Sequence, residues 1–394
     1  MENEQFFRDA RDDLNGPLHG VRVLDVTKVW SGPLATCVLA DLGADVVRVE
    51  LPDGRDGEVP PTIPGTGLSW FRQSVNRNKR SVGADLRTDE GRRTLLSLVR
   101  VADVLVENYR PGVLARWGVG YPQCRAVRPE LVYVSVSGWG QYGPGVDRSA
   151  YDPVVQAAGG WMALNGPPDG QPVRAPTFLA DELAGLHAAI AALGALAHRS
   201  RTGEGQHVDV AMLDSLLFSS SGLLSLAAAG APPQRMGNQT DFVVPANVYH
   251  CRDGDIYLAV SLDRHWRRLT ALMGHPELAR DPTFATNRDR LAHRSLVDAV
   301  VAGWCATVTV AEAVAALAEA GLAVSAVREL CQVADDPQVR ARQMLQRIRL
   351  HNGTEAELTG PAAKFSRTPT RIRRPAPAAG ADTAEVLREW TADA

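Results

Sequence analysis

Asp181 stands directly before an apolar run, Glu182 to His198 (ELAGLHAAIAALGALAH), which is stopped at Arg201-Thr202-Gly203. An aspartate in that place caps a helix in most proteins. A carboxylate at a helix mouth also has its charged form favoured and its position fixed, which a carboxylate nucleophile needs. The residues alone leave both readings open. Two further segments suit ligand binding: Asn108-Tyr109-Arg110-Pro111-Gly112 and Ser137-Gly138-Trp139-Gly140 are loops in which backbone can approach a bound molecule closely. Other chemistries find no support. The five cysteines, Cys37, Cys124, Cys251, Cys305 and Cys331, are odd in number and show no C-x-x-C spacing, which argues against a disulfide framework or a zinc site. The sequence has no P-loop, and no G-x-G-x-x-G follows the first strand.

The scaffold that must position these residues is of ordinary globular composition. The 394 residues are 22% charged and 45% hydrophobic, with 35 Gly and 25 Pro, which excludes disorder and collagen-like repetition. A net charge of −3 offers no global attraction to nucleic acid or anionic lipid. No apolar run reaches the ~18–20 residues that span a bilayer, and the start MENEQFFRDARDDLNG lacks the order of a secretory signal, so a soluble cytoplasmic protein is expected, binding neither nucleic acid nor membrane. The strand-like runs Val21–Val26 and Asp45–Glu50 flank a helical stretch opened by Ser31-Gly32-Pro33. Helical Glu90–Val101 then leads to a strand at Asp103–Glu107, another helical stretch to a strand at Leu131–Ser137, and the long helix to a strand at Gln206–Val210. Repeated βαβ units predict a doubly wound α/β region, with ligands beyond the carboxyl ends of its strands. From Leu213 the pattern changes to a helix, a Gly/Pro-rich joint, a hairpin at Asp253-Gly254 and three helical stretches ending near Gly321. The expected division is a large domain over 1–212, a small domain with linkers over 213–330, and a C-terminal segment over 331–394, rich in Pro and Arg from Gly360, that returns to the large domain or to a partner subunit.

Taken in order, several segments resemble the class III CoA-transferase family, which also contains the 2-methylacyl-CoA racemases. They are Val23-Leu24-Asp25, Ser31-Gly32-Pro33, Leu39 through Glu50 (LADLGADVVRVE), Asn78-Lys79-Arg80-Ser81, Ala102 through Gly112 (ADVLVENYRPG), Tyr151-Asp152, the Asp181 helix start, Arg201 through Gln206 (RTGEGQ), Asp281-Pro282-Thr283-Phe284 and Asp336-Pro337-Gln338. The resemblance spans nearly the whole chain. It implies a Rossmann-like large domain, a smaller α+β domain, and a homodimer whose chains interlock like linked rings.

For the site, the resemblance makes Asp181 the nucleophile that attacks an acyl-CoA thioester, with coenzyme A as co-substrate and no metal. Ala84, Arg87, Asn108 and Arg116 match CoA-contacting positions; otherwise Arg87 and Arg116 would be surface arginines and Asn108 would fix the turn before Pro111. Trp30 and Leu51 replace a glutamine and an arginine of the formyl-CoA branch, and the glycine-rich loop of that branch has only Gly237 here, between Met236 and Pro245. Trp30 and Trp161 then suggest an acyl group larger than formyl, medium-sized or aromatic, with Trp30 and Tyr151 in the substrate pocket. Tyr151 stands where the racemases carry a histidine, and an unperturbed phenol with pKa ~10 is a weak base for their proton transfer. Racemization, with His187 as a substitute base, and a non-catalytic acyl-CoA-binding scaffold are the alternative functions.

Overall fold

The computed structural model describes residues 3–54 and 61–392. Its main sheet has six parallel strands, β1 (Arg22–Val26), β2 (Asp45–Glu50), β3 (Lys79–Gly83), β4 (Val104–Glu107), β5 (Val132–Ser137) and β6 (Gln206–Ala211), in the order β3-β2-β1-β4-β5-β6. This is the doubly wound order that reverses between β1 and β4, where a crevice for ligands opens. Strands β1, β2, β4 and β5 read as nearly continuous Val/Leu runs because both their faces are covered. Val23, Val46, Val104 and Val134 meet an alanine-rich helix on one face, whereas Leu24, Val47, Leu105 and Tyr133 meet Leu95, Leu98 and Trp390 on the other.

Strand β3 was not expected from the sequence, since Lys79-Arg80-Ser81 carries charge into the sheet. Partners explain it. Lys79 Nζ donates to Asp25 Oδ2 at 2.7 Å and to Asn76 Oδ1 at 3.0 Å. Arg72 forms a fork with Glu50 at 2.9 and 2.7 Å, and Arg48 donates to Glu50 at 3.1 Å. Burial would raise the Glu50 carboxyl, but the arginines prevail and hold it at about 2. Each of these charges is buried and paired, as desolvated charges must be.

The chain divides into two compact units. The larger comprises 1–161, 174–232 and 337–394, and the smaller 162–173 and 233–336. The boundary therefore falls after 232 and not at 212: Met212 and Leu216, on the helix Met212–Phe218, are buried in the sheet core. The segment 337–394 belongs to the larger unit. Asn78 holds it through Arg373 N and Arg371 O, Arg72 donates to Pro377 O, and the helix Thr383–Thr391 places Val386 and Trp390 in the core. The smaller unit has a three-stranded antiparallel sheet, β7 (Ala246–Cys251), β8 (Gly254–Ala259) and β9 (Ala323–Ala326), and helices around Trp266, Leu269 and Val301.

The long helix runs from Leu179 to Thr202 and is long and apolar enough to cross a membrane, contrary to the expectation that no such run exists. It is the core helix of the larger unit, with Ala180, Ala184, Ala188 and Ala192 buried against the sheet.

Candidate active site

The helix starts two residues before Asp181, so Asp181 lies in its first turn and does not cap it. The cap comes from elsewhere in the chain. Asp152, at the start of the helix Asp152–Ala158, accepts from Ala180 N at 2.7 Å and Asp181 N at 3.3 Å through Oδ1. Its Oδ2 accepts from Gln156 at 2.7 Å, one helical turn on. Asp152 and Gln156 are buried, so this cap is itself fixed.

Ser31 lines the same cavity as the Asp181 carboxyl, and its hydroxyl and backbone N–H favour the charged form. Ser31 opens the helix Ser31–Asp41, where the N–H groups lack intrahelical partners. Two features bring it there. Val29 adopts a left-handed φ of 63°, an unusual conformation for a β-branched residue, costing about 1–2 kcal/mol and turning the chain sharply out of β1. Gly185, one turn beyond Asp181, lets the long helix close on Ser31: a Cβ there would lie 2.7 Å from Ser31 O. Among the described residues no lysine or arginine is paired with Asp181. Burial pushes its carboxyl up to about 7, with Asp152 and Glu182 adding to the rise and Ser31 opposing it.

Asp181 opens into a cavity of about 280 Å³ at the carboxyl ends of β1, β4 and β5, where the strand order reverses. Ser31, Asn108, Ser137, Trp139 and Tyr151 line it, together with the cations Lys28, Arg110 and Arg148. Arg148 lies 4.2 Å over the Trp139 ring, and Arg110 donates to Ser149 Oγ at 2.7 Å. A second cavity, of about 260 Å³, is lined by Leu51, Ala84, Arg87, Trp117 and others. Lys28 and Tyr109 line both, with Lys28 Nζ 5.1 Å over the tyrosine ring.

Of the residues singled out in the sequence, Asp181, Asn108 and Tyr151 share the first cavity, and Ala84 and Arg87 the second. Asn108 grips the chain after β1: it accepts from Lys28 N and donates to Lys28 O, both at 2.7 Å. Gly32 makes room for that grip, since a Cβ there would lie 3.0 Å from Asn108 Cγ. Arg87 is mostly exposed and forked onto Asp85, at 2.8 and 2.7 Å. Arg116 is exposed beside Gly112 and lines neither cavity. Trp30 is placed elsewhere, its ring among Trp70, Phe71 and Phe178 at 4.7–5.5 Å. Trp161 does not line the cavity either, so the aromatic acyl preference loses its support. His187 is bonded to Leu183 O at 2.8 Å and lies edge-on to Phe218. Ser31, Lys28 and Arg148 were not recognised as site residues. Only Asp152 carried a signal, its i,i+4 spacing to Gln156. Among the described residues no group of three His, Cys, Asp or Glu is arranged to hold a metal ion.

The chain resembles known proteins along almost its whole length. It is 37% identical to the succinate–glutarate CoA-transferase of Agrobacterium fabrum over 95% of both chains, and 35% identical to the β subunit of the succinyl-CoA–L-malate CoA-transferase of Chloroflexus aurantiacus, over 95% of this chain and 94% of that one. The crystal structure of a CAIB/BAIF family protein from Brucella suis superposes with a TM-score of 0.84 at 34% identity, covering 95% of this chain and all of the other. Residues 18–383 match CoA-transferase family III, and the chain belongs to that family of enzymes.

Proposed function

We propose that the protein transfers CoA between dicarboxylic acids, with Asp181 as the nucleophile. The observation that carries this reading is a buried carboxylate, unpaired with any cation among the described residues, opening into a cavity at the sheet's switch point. The carboxylate attacks the thioester carbonyl, CoA leaves as thiolate, and a mixed anhydride joins Asp181 to the donor acyl group. The thiolate then attacks the aspartyl carbonyl, freeing the donor acid and leaving an aspartyl-CoA thioester. The acceptor carboxylate reverses the two steps and restores Asp181. The thioester energy is conserved throughout and CoA passes intact from donor to acceptor, so no further co-reactant is consumed. Ser31 and the start of its helix supply N–H and O–H groups toward each oxyanion.

CoA, as co-substrate, fits with its phosphates and adenine toward Ala84 and Arg87, Arg116 outside, and its arm passing Lys28 and Tyr109 to reach Asp181. Three cations beside one nucleophile suit an acid with a second carboxylate. The dicarboxylates in the names of the Agrobacterium and Chloroflexus relatives support the same class. Racemization gains nothing from the geometry: no histidine is among the residues lining the Asp181 cavity. A pure scaffold gives no reason to keep a carboxylate where burial opposes its charge. The exposed Leu186, Ile190 and Phe218 supply an apolar face for the interlocked homodimer. The working compartment is the cytoplasm.

Intact-protein mass spectrometry with a panel of acyl-CoA thioesters, followed by hydroxylamine trapping, tests the mechanism. Modification is expected at Asp181 with succinyl- or glutaryl-CoA and is lost in Asp181→Asn. Transfer at the wild-type rate by that variant would refute it, and light scattering in solution decides between monomer and dimer.

A further inference from the structure

Glu107 ends β4 and is buried, yet no cation is paired with it among the described residues. Its Oε2 accepts from Tyr109 N at 2.8 Å, bending the chain directly after the strand. Ser135, its register partner on β5, lines the same cavity, and its hydroxyl opposes the rise that burial imposes on the carboxyl. Ser135 Oγ lies 2.9 Å from His207 Nε2 on β6, and the imidazole is stacked on Tyr121 and open to solvent. Glu107, Ser135 and His207 line one cavity of about 220 Å³, distinct from the two described above.

The bend at Tyr109 matters because that residue lines both site cavities, beneath Lys28 and edge-on to Trp117 at 5.2 Å. Asn108, between Glu107 and Tyr109, grips Lys28. Glu107 thus fixes the loop from inside the sheet while Asn108 ties it to the chain after β1.

We propose that Glu107 is a positioning residue for CoA binding, whose carboxyl sets the loop 108–112 through Tyr109 and exchanges its proton with solvent along Ser135 and His207. With Glu107 ionised, Ser135 O–H donates to the carboxylate, His207 Nε2–H donates to Ser135, and the Tyr109 N–H bond is charge-assisted. With Glu107 protonated, its O–H donates to Ser135, Ser135 donates to His207 Nε2, and the imidazole proton sits on Nδ1. Tyr109 then keeps only a neutral acceptor, and the loop is held less tightly. The groups around the carboxyl are Ser135 and Tyr133 of β5, His207 and Asp209 of β6, Tyr121 of the helix Tyr121–Val127, and Arg110 of its own loop. Burial raises Glu107 to about 7, and Asp209 adds to the rise, so the exchange falls near neutrality.

The proposal rests on the CoA reading above, and two measurements separate their failures. In the first, hydrogen exchange is compared at one pH, about 8. Wild-type protein is expected to protect the peptide spanning 108–117, and Glu107→Gln to exchange it about threefold faster or more. Equal protection in wild type, Glu107→Gln and Glu107→Ala overturns the proposal, whether or not CoA binds. In the second, the Kd of free CoA is measured by calorimetry between about pH 6 and pH 8. The ratio of the wild-type Kd to that of Glu107→Gln cancels the ligand's own phosphate titration, and it is expected to fall about threefold or more as pH rises. A ratio independent of pH overturns the proton-linked role. Absence of CoA binding in the wild type defeats the functional reading, and the exchange comparison still decides the loop.

Discussion

Asp181 lies where its charged form is opposed by burial and favoured by Ser31, a compromise between reactivity and stability. Two predictions belong to this residue. Ionisation is needed for attack, so kcat/KM should rise with pH along a limb centred near 7 and level off above it. Asp152 contributes to the rise, so Asp152→Asn, which keeps an acceptor for the two helix N–H groups, should move that limb to lower pH. A limb unmoved in the variant would remove Asp152 from the electrostatics of the site. The second prediction concerns folding. A carboxyl whose folded pKa is raised holds its proton more tightly in the folded chain, so stability is lost as pH climbs from the unfolded value of 3.8 through about 7. Asp181→Asn escapes that loss. Denaturant unfolding at about pH 8 should find the variant more stable by on the order of 2–4 kcal/mol, with the gap closing near pH 4. A gap of the same size at both pH values would mean that the gain comes from packing and not from the buried charge.

Among the elements, the long helix and the helix Ser31–Asp41 determine whether the nucleophile meets its donors. Their close approach depends on Gly185. Gly185→Ala improves helix propensity by about 1 kcal/mol, so a purely local view predicts a more stable protein. The Cβ would instead press on Ser31 O, and overpacking costs about 1–3 kcal/mol. The expected result is a lower melting temperature and a fall in kcat that exceeds any change in KM, read from unfolding and steady-state assays on one preparation. Unchanged kcat would show that the register of the two helices is not critical. Elements with an apolar pattern, such as β1, β2, β4 and β5, were legible in the sequence, because burial on both faces demands Val/Leu runs. Strand β3 was not, because its Lys79 and Arg80 are tolerated only through Asp25, Asp45 and Glu389, distant in sequence. The helix start at Leu179 was misread for a related reason: its cap comes from Asp152, and a cap supplied across the fold leaves no local signature.

For the whole molecule, the C-terminal segment closes the fold. Trp390 is buried, donates to Asp45 Oδ2 at 2.9 Å and packs in the core beside Leu95 and Leu98. Trp390→Ala should cost about 3–5 kcal/mol, a large part of a typical domain's stability, although the residue lies far from both site cavities. Denaturant midpoints at constant m-value would show this, and a cost below about 1 kcal/mol would mean that the segment merely rests on the sheet. The sequence by itself determined the α/β class, the loops beyond the strand ends, the family and Asp181 as the residue to watch. These follow from periodicity, turn residues and ordered motifs, all carried by neighbours along the chain. Only the tertiary structure decided that Asp152 caps the long helix, that Ser31 faces the nucleophile, that Trp30 belongs to an aromatic cluster and that Asn108 grips Lys28. Hydrogen bonds and desolvation act over a few ångströms between groups as far apart in sequence as Lys28 and Asn108, and that proximity exists only once the sheet has brought its strand ends together.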